Sequence, residues 1–387
     1  MDRGSRAAGR ASGWIIRIAV PLVIFIVMLS IGECGLRLVA PLPYSSRLYW
    51  VDDGHVKARL LPEQEPINTS GHVVKINSLG FRGEEPSWTA PAGTLRILAL
   101  GGSSTFCYDV SDDAHTWPAL LQAKLSDALQ MPVEVINLAL PGYDASNSKV
   151  NYLFTGRALQ PHALLAYHTW NDLKFLPLFT AQKEGLPREF LSGVNTGGKN
   201  VSAFVRFFFH SQIVQRVRNV YLRVTEEKRE NAYTSLEAEG ERAHEMPSER
   251  AFDLFQQNFE DIAVLAAKDG VLPVLISQAT LAHPENLERR EVRLRIRNNL
   301  VGMTQPLLAN VWLESNRRIA AAARENGALF LDGYSAVEPS LENFKDHVHL
   351  LDPGAERLAR SLAEQLLSEP RFVALAQQVQ AQAGAAR

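Results

Sequence analysis

The hydrophobic positions of this 387-residue chain fall into two patterns. Between Gly13 and Gly32 the sequence GWIIRIAVPLVIFIVMLSIG is almost uniformly apolar, with Arg17 as its only charge. At 1.5 Å of rise per residue, such a helix matches a hydrocarbon layer of about 30 Å. Arg17 lies near the end, where its side chain can reach the headgroups, and membrane helices tolerate a proline such as Pro21. From Thr94 onward the pattern changes to short apolar runs alternating with amphipathic stretches. Leu95–Leu100, Val133–Leu138, His162–Tyr167, Val271–Ile276 and Ala328–Leu331 read as strands. Trp117–Leu129, 249–268, 305–325 and 354–367 read as helices. Apolar runs without polar alternation suit strands covered on both faces, so the alternation predicts an α/β fold, a parallel sheet between two helix layers.

Two stretches break this rhythm. Residues 36–92 carry Pro41, Pro43, Pro62 and Pro66 and no helical period, and read as an extended lead-in with short strands. Residues 178–247 are too long for one crossover and read as a helical insertion. The centre of the insertion, 203–224, mixes Phe, Ile, Val, Tyr and Leu with arginines. A helix packed on the domain, a lid over a site and a helix on a membrane surface all fit that mixture. The expected organisation is a short N-terminus (1–12), a transmembrane helix (13–35), the lead-in (36–92), an α/β domain (93–370) and an Ala/Gln-rich tail (371–387).

Composition sharpens this picture. A mean hydropathy of -0.10 excludes a polytopic membrane protein, and this average blends one apolar span with an ordinary polar domain. Lys+Arg number 40 against 42 Asp+Glu, which argues against a nucleic-acid-binding surface. The first seventeen residues carry four Arg against Asp2 alone, so the N-terminus is expected in the cytoplasm and the rest in the periplasm or outside the cell. A cleaved signal peptide shares the basic start and apolar stretch. However, Leu38-Val39-Ala40 is followed by Pro41, and Gly32-Glu33-Cys34 puts an acid where a lipoprotein signal needs a small residue. An uncleaved single-pass anchor is therefore expected. Two cysteines exclude a disulfide-rich scaffold, and Cys34 and Cys107 are too differently placed to be expected to pair.

The candidate chemistry lies at the strand ends, where ligands bind in such sheets. Gly101-Gly102-Ser103-Ser104-Thr105 follows the first strand. A phosphate cradle would need a P-loop Lys or GxGxxG, and neither is present. Asn137-Leu-Ala-Leu-Pro141-Gly142-Tyr143 follows the second strand, Thr169-Trp170-Asn171-Asp172 the third, and Asp346-His347-Val348-His349 lies far downstream. Each block alone is weak. Together they supply a nucleophile in Ser103, a base in His349 and a carboxylate in Asp346 to orient the imidazole. The Ser103 N–H, the Gly142 N–H and the Asn171 amide are candidate oxyanion donors. Asp346, His347 and His349 could alternatively ligate zinc, although no further ligand cluster is evident. Cys107 reads as a small buried hydrophobe and His168 as a strand-end residue.

The four blocks, in this order, resemble those of the SGNH hydrolases, or GDSL esterases/lipases, over residues 94–368. Ser103 matches the nucleophile of the Gly-Asp-Ser-x-Thr block, Gly142 the second block, Asn171 the Gly-x-Asn-Asp block, and Asp346 with His349 the Asp-x-x-His block. The resemblance implies a three-layer α/β/α flavodoxin-like domain acting on acyl esters, such as those of glycans or lipids, without cofactor or metal. Asn77-Ser-Leu-Gly80-Phe81-Arg82-Gly83 is similar to a segment of membrane-anchored bacterial members. Two positions depart from the pattern. Gly102 replaces the usual Asp, which lies off the triad, so activity is expected to survive; Thr169 replaces the usual Gly beside Asn171. Two other readings remain: an O-acyltransferase for a cell-surface or exported glycan, and a non-catalytic envelope or carbohydrate-binding module.

Overall fold

The computed structural model describes residues 4–39, 50–51, 59–60, 62–63, 65, 72–173, 211–214, 216–217, 220, 245–296 and 302–385. Most of the 178–247 insertion and parts of the lead-in lie outside these. The chain divides into two compact units, one of residues 1–45 with 201–229, the other of residues 46–200 with 230–387.

In the first unit, helix α1 runs from Gly4 to Val39. Its apolar portion, Arg17–Val39, is long enough to cross a membrane. The helix continues past residue 35, where the span was expected to end. Nothing in Gly35-Leu-Arg-Leu-Val breaks a helix, and Pro41 disfavours helical backbone only at the residue before it. Glu33 and Arg37 pair at 2.9 Å, one turn apart. Glu33 also accepts hydrogen bonds from Ser211 Oγ (2.9 Å), Gln212 N (2.8 Å) and Ile213 N (3.1 Å), and so caps the helical turn that begins at Gln212. The described insertion residues between 211 and 220 thus group with α1, whereas 245–247 belong to the second unit.

In the second unit, two short strands of the lead-in, β1 (Trp50–Val51) and β2 (Arg59–Leu60), pair antiparallel. All five apolar runs form strands: β3 (Leu95–Gly101), β4 (Val133–Asn137), β5 (Ala163–Tyr167), β6 (Leu272–Ile276) and β7 (Leu329–Leu331). Every pairing is parallel, in the order β4-β3-β5-β6-β7. Helices α2 (Ser103–Phe106), α3 (Trp117–Leu129), α4 (Ala145–Phe154) and α5 (Trp170–Leu173) lie along the first half of the sheet's sequence. Helix α3 packs with Asp352–Ser368 on one face, while α4, Glu249–Lys268 and Gln305–Glu325 pack on the other, giving a three-layer α/β/α fold. The helices start where side-chain caps permit: Thr116, Ser248 and Thr304 accept from the N–H groups of Ala119, Ala251 and Leu307. The chain leaves β3 toward β4 on one side and later returns to place β5 on the other. Such a reversal is the place where open α/β sheets bind ligands, beyond the carboxyl ends of β3 and β5.

Burial inside the sheet extends to charge. Arg96, within the apolar run of β3, is fully buried, with Nε 2.7 Å from Glu134 and Nη1 donating to Leu159 O at 2.5 Å and Trp88 O at 3.3 Å. Such a guanidinium is tolerable only because its donors are used. His168, at the end of β5, is also buried, with Nε2 2.9 Å from Ser148 Oγ on α4, and burial pulls its pKa down to about 3. The folded protein therefore keeps His168 neutral where the unfolded chain, near its ordinary value of 6.5, takes up a proton. This contribution to stability is intact at neutral pH and is lost as pH falls from about 6.5 toward 3. His168→Gln is expected to flatten the decline in melting temperature over that window; an acid limb as steep as the wild type's would refute the assignment.

Candidate active site

The nucleophile candidate lies at a turn that only small residues can make. A Cβ on Gly101 would come within 1.9 Å of Thr105 Oγ1, because Thr105 folds back over the end of β3. A Cβ on Gly102 would lie 2.6 Å from Asn171 Nδ2 and 2.9 Å from Tyr143 O. Gly102 is thus vacant of side chain because the Asn171 carboxamide occupies that space. The substitution that looked incidental in the sequence is matched to the position of Asn171. Ser103 then opens α2, with its N–H at the amino end of the turn.

Asn171 lies in α5, just beyond β5, and donates from Nδ2 to Tyr143 O at 2.8 Å. Tyr143 follows Gly142, whose φ of +84° favours glycine. Asp172 accepts from Ala145 N at 3.0 Å and ties the α5 turn to the start of α4. The Ser103, Gly142 and Asn171 blocks therefore meet at the ends of β3, β4 and β5.

The fourth block arrives from the loop before Asp352–Ser368. That helix starts two residues ahead of its expected limit, with Pro353 in its first turn. Asp346 is buried; its Oδ1 accepts from Val348 N and His349 N, each at 3.1 Å. His349 Nδ1 lies 2.9 and 2.8 Å from the two carboxylate oxygens, and His349 Nε2 lies 2.8 Å from Ser103 Oγ. An ionised carboxylate only accepts, so the imidazole proton belongs on Nδ1 and Nε2 presents its lone pair to the serine. Burial works against ionisation of Asp346, but attraction to His349 and His347, with hydrogen bonds from His349 and Val348 N, outweighs it and holds the carboxyl well below the usual range. The His349 side chain keeps 23% of its surface exposed, so the imidazole is reachable from solvent.

His347 takes a different place. Its ring centroid lies 3.8 Å from that of Trp170, and its Nδ1 is 3.7 Å from Asp346 Oδ1. Among the described residues, no group of three His, Cys, Asp or Glu side chains is arranged to hold a metal ion. Cys107 is buried in a left-handed conformation (φ 57°), and burial pushes its thiol up to about 12.

Several contributors had no individual signal in the sequence. Asn137, at the end of β4, donates from Nδ2 to Thr105 O (2.9 Å) and accepts from Ala139 N (3.1 Å). Lys345 Nζ lies 2.7 Å from Asp109, and Ser111 N donates to Asp352 at 2.7 Å, which ties the loop after α2 to the His349 loop. Arg82, on the lead-in turn, donates from Nε to Asp113 at 2.6 Å and from Nη2 to Asp112 O at 3.2 Å. Polar residues at strand ends were the available clue for Asn137; Arg82 lay within the Asn77–Gly83 segment but without a role.

No protein-family model matches the chain, and no curated protein matches its sequence. Solved structures do. A GDSL-like lipase from Bacteroides thetaiotaomicron is 14% identical, with 70% of this chain and 86% of that chain covered at a TM-score of 0.36. A variant of an acetyl xylan esterase from Geobacillus stearothermophilus is 12% identical, with 70% and 93% covered at a TM-score of 0.39.

Proposed function

We propose that this chain is a serine esterase of the SGNH type, held at a membrane by α1, that hydrolyses acyl esters, acetyl esters among them, outside the cytoplasm. The observation that carries this reading is the continuous path from Asp346 through His349 Nδ1 and Nε2 to Ser103 Oγ, every contact at or below 2.9 Å. Ser103 Oγ attacks the ester carbonyl while His349 Nε2 takes its proton, and Asp346 stabilises the imidazolium that forms. The oxyanion of the tetrahedral intermediate is received by the N–H groups of Ser103 and Gly142 and by the Asn171 amide. His349 returns the proton to the departing alcohol, leaving an acyl-serine. Water, deprotonated by His349, then releases the acid and restores Ser103. The arginine-rich start of α1 supports the outward placement.

In the full-length protein in detergent micelles, Ser103→Ala is expected to abolish turnover of p-nitrophenyl acetate and labelling by a fluorophosphonate; undiminished turnover would overturn the reading. Asp346→Asn is expected to cost about 10⁴-fold in kcat, since the proton would no longer be held on Nδ1. Gly102→Ala pushes the Asn171 amide from its place and is expected to cost about 10² to 10³-fold in kcat, the penalty for one misplaced oxyanion donor. Wild-type kcat in that variant would separate Asn171 from the reaction. With an added glycan acceptor, product analysis should find hydrolysis dominant; acyl transfer in excess would turn the assignment to a transferase.

A further inference from the structure

The turn that carries Ser103 is too short to hold itself. A four-residue helix has almost no hydrogen-bond ladder, and after the single bond from Cys107 N to Ser103 O its remaining carbonyls need donors from elsewhere. Yet the carbonyls from Ser103 to Cys107 all have donors. Ser103 O accepts from Cys107 N at 2.9 Å, and Ser104 O from Cys107 Sγ at 3.3 Å. Thr105 O accepts from Asn137 Nδ2 at 2.9 Å. Phe106 O accepts from Arg82 Nη1 at 2.9 Å, and Cys107 O accepts from the same nitrogen. Three successive carbonyls are therefore held by two side chains from outside the turn. Those side chains belong to residues bridged to each other, because Arg82 pairs antiparallel with Asn137.

Arg82 is held as firmly as it holds. It stands at the end of a tight turn in which Asn77 Oδ1 accepts from Leu79 N and Phe81 N and Asn77 Nδ2 donates to Glu84 O. Gly80 allows the turn to pass the backbone of β2, where a Cβ would lie 2.7 Å from Leu60 O. The Arg82 side chain is 1% exposed, its guanidinium lies 5.5 Å from the centroid of the Phe106 ring, and Asp113 neutralises it at 2.6 Å. A rigid, desolvated fork of this kind fixes direction as well as distance, which a lysine ammonium cannot reproduce.

We propose that Arg82 is a positioning residue for the nucleophile: through the Phe106 and Cys107 carbonyls it sets the place of the turn, and so of Ser103 Oγ relative to His349 Nε2. The proposal rests on Ser103 being the nucleophile. Displacement by about 1 Å at a reacting atom costs on the order of 10²-fold. In the full-length protein, Arg82→Gln should therefore lower both kcat for p-nitrophenyl acetate and the rate of fluorophosphonate labelling by about 10²-fold, with KM within about twofold, because substrate contacts are untouched. Arg82→Lys, which keeps the charge and a single bond, should recover part of the loss. Melting curves and circular dichroism on every variant provide the control, and two milder changes are measured beside it: Arg82→Lys, which keeps a cation next to Asp113, and Asp113→Asn, which keeps the guanidinium and an acceptor for its Nε, each expected to slow labelling. Folded variants that label at the wild-type rate would overturn the proposal, as would a loss that only tracks the unfolded fraction. If the wild type is not labelled, or Ser103→Ala still is, the nucleophile reading itself fails; if labelling is confined to Ser103 and indifferent to Arg82, only the positioning role fails.

Discussion

The pairing of Gly101 with Tyr167 across β3 and β5 sets where everything else in the candidate site must be. Parallel register brings two strand ends level, and the chain leaves them as Ser103 two residues beyond one and Asn171 four residues beyond the other. A shift of one residue would reverse which side chains face each helix layer and would separate the two blocks. The register is in turn protected by burial, since every residue of both strands is buried. The interior packing that stabilises the sheet thus also sets the spacing between the serine and the amide.

Charge inside this fold follows one rule at three depths. Arg96 is neutralised near the amino ends of the strands by Glu134 and Arg82 beneath the Ser103 turn by Asp113, while Asp346 beside Ser103 is satisfied by hydrogen bonds from the His349 imidazole and from the Val348 and His349 N–H groups. The first two use planar guanidinium forks, which fix the direction of their hydrogen bonds. The third pairs a carboxylate with an imidazole whose far nitrogen faces Ser103 Oγ. Of these three pairs, the third places an imidazole nitrogen 2.8 Å from a hydroxyl, that of Ser103.

What could be read from the sequence was what is local. Strands covered on both faces announce themselves as unbroken apolar runs, and the Phe, Ile and Ala positions of Glu249–Lys268 recur at helical spacing. Asp346 and His349 are three residues apart, so their partnership lies within one turn of chain. The contacts that escaped detection join distant residues: Arg82 to Phe106 across 24 positions and Asn137 to Thr105 across 32. Arg96 escaped for another reason: a charge inside an apolar run has no visible partner until the sheet places Glu134 beside it. Gly102 read as a departure from the usual pattern, and its logic emerged only when Asn171 was seen to fill the missing volume.

The cap that Glu33 places on residues 211–213 has a temporal consequence. The two ends of this contact are separated by 179 positions. At a synthesis rate of roughly 5 to 20 residues per second, α1 would wait about 10 to 35 seconds for its partner to emerge. A helix clipped away during that interval could never make the contact. The bond therefore forms only if Glu33 is still part of the chain when residues 211–213 emerge, so one short acidic side chain links the fate of α1 to a segment made much later.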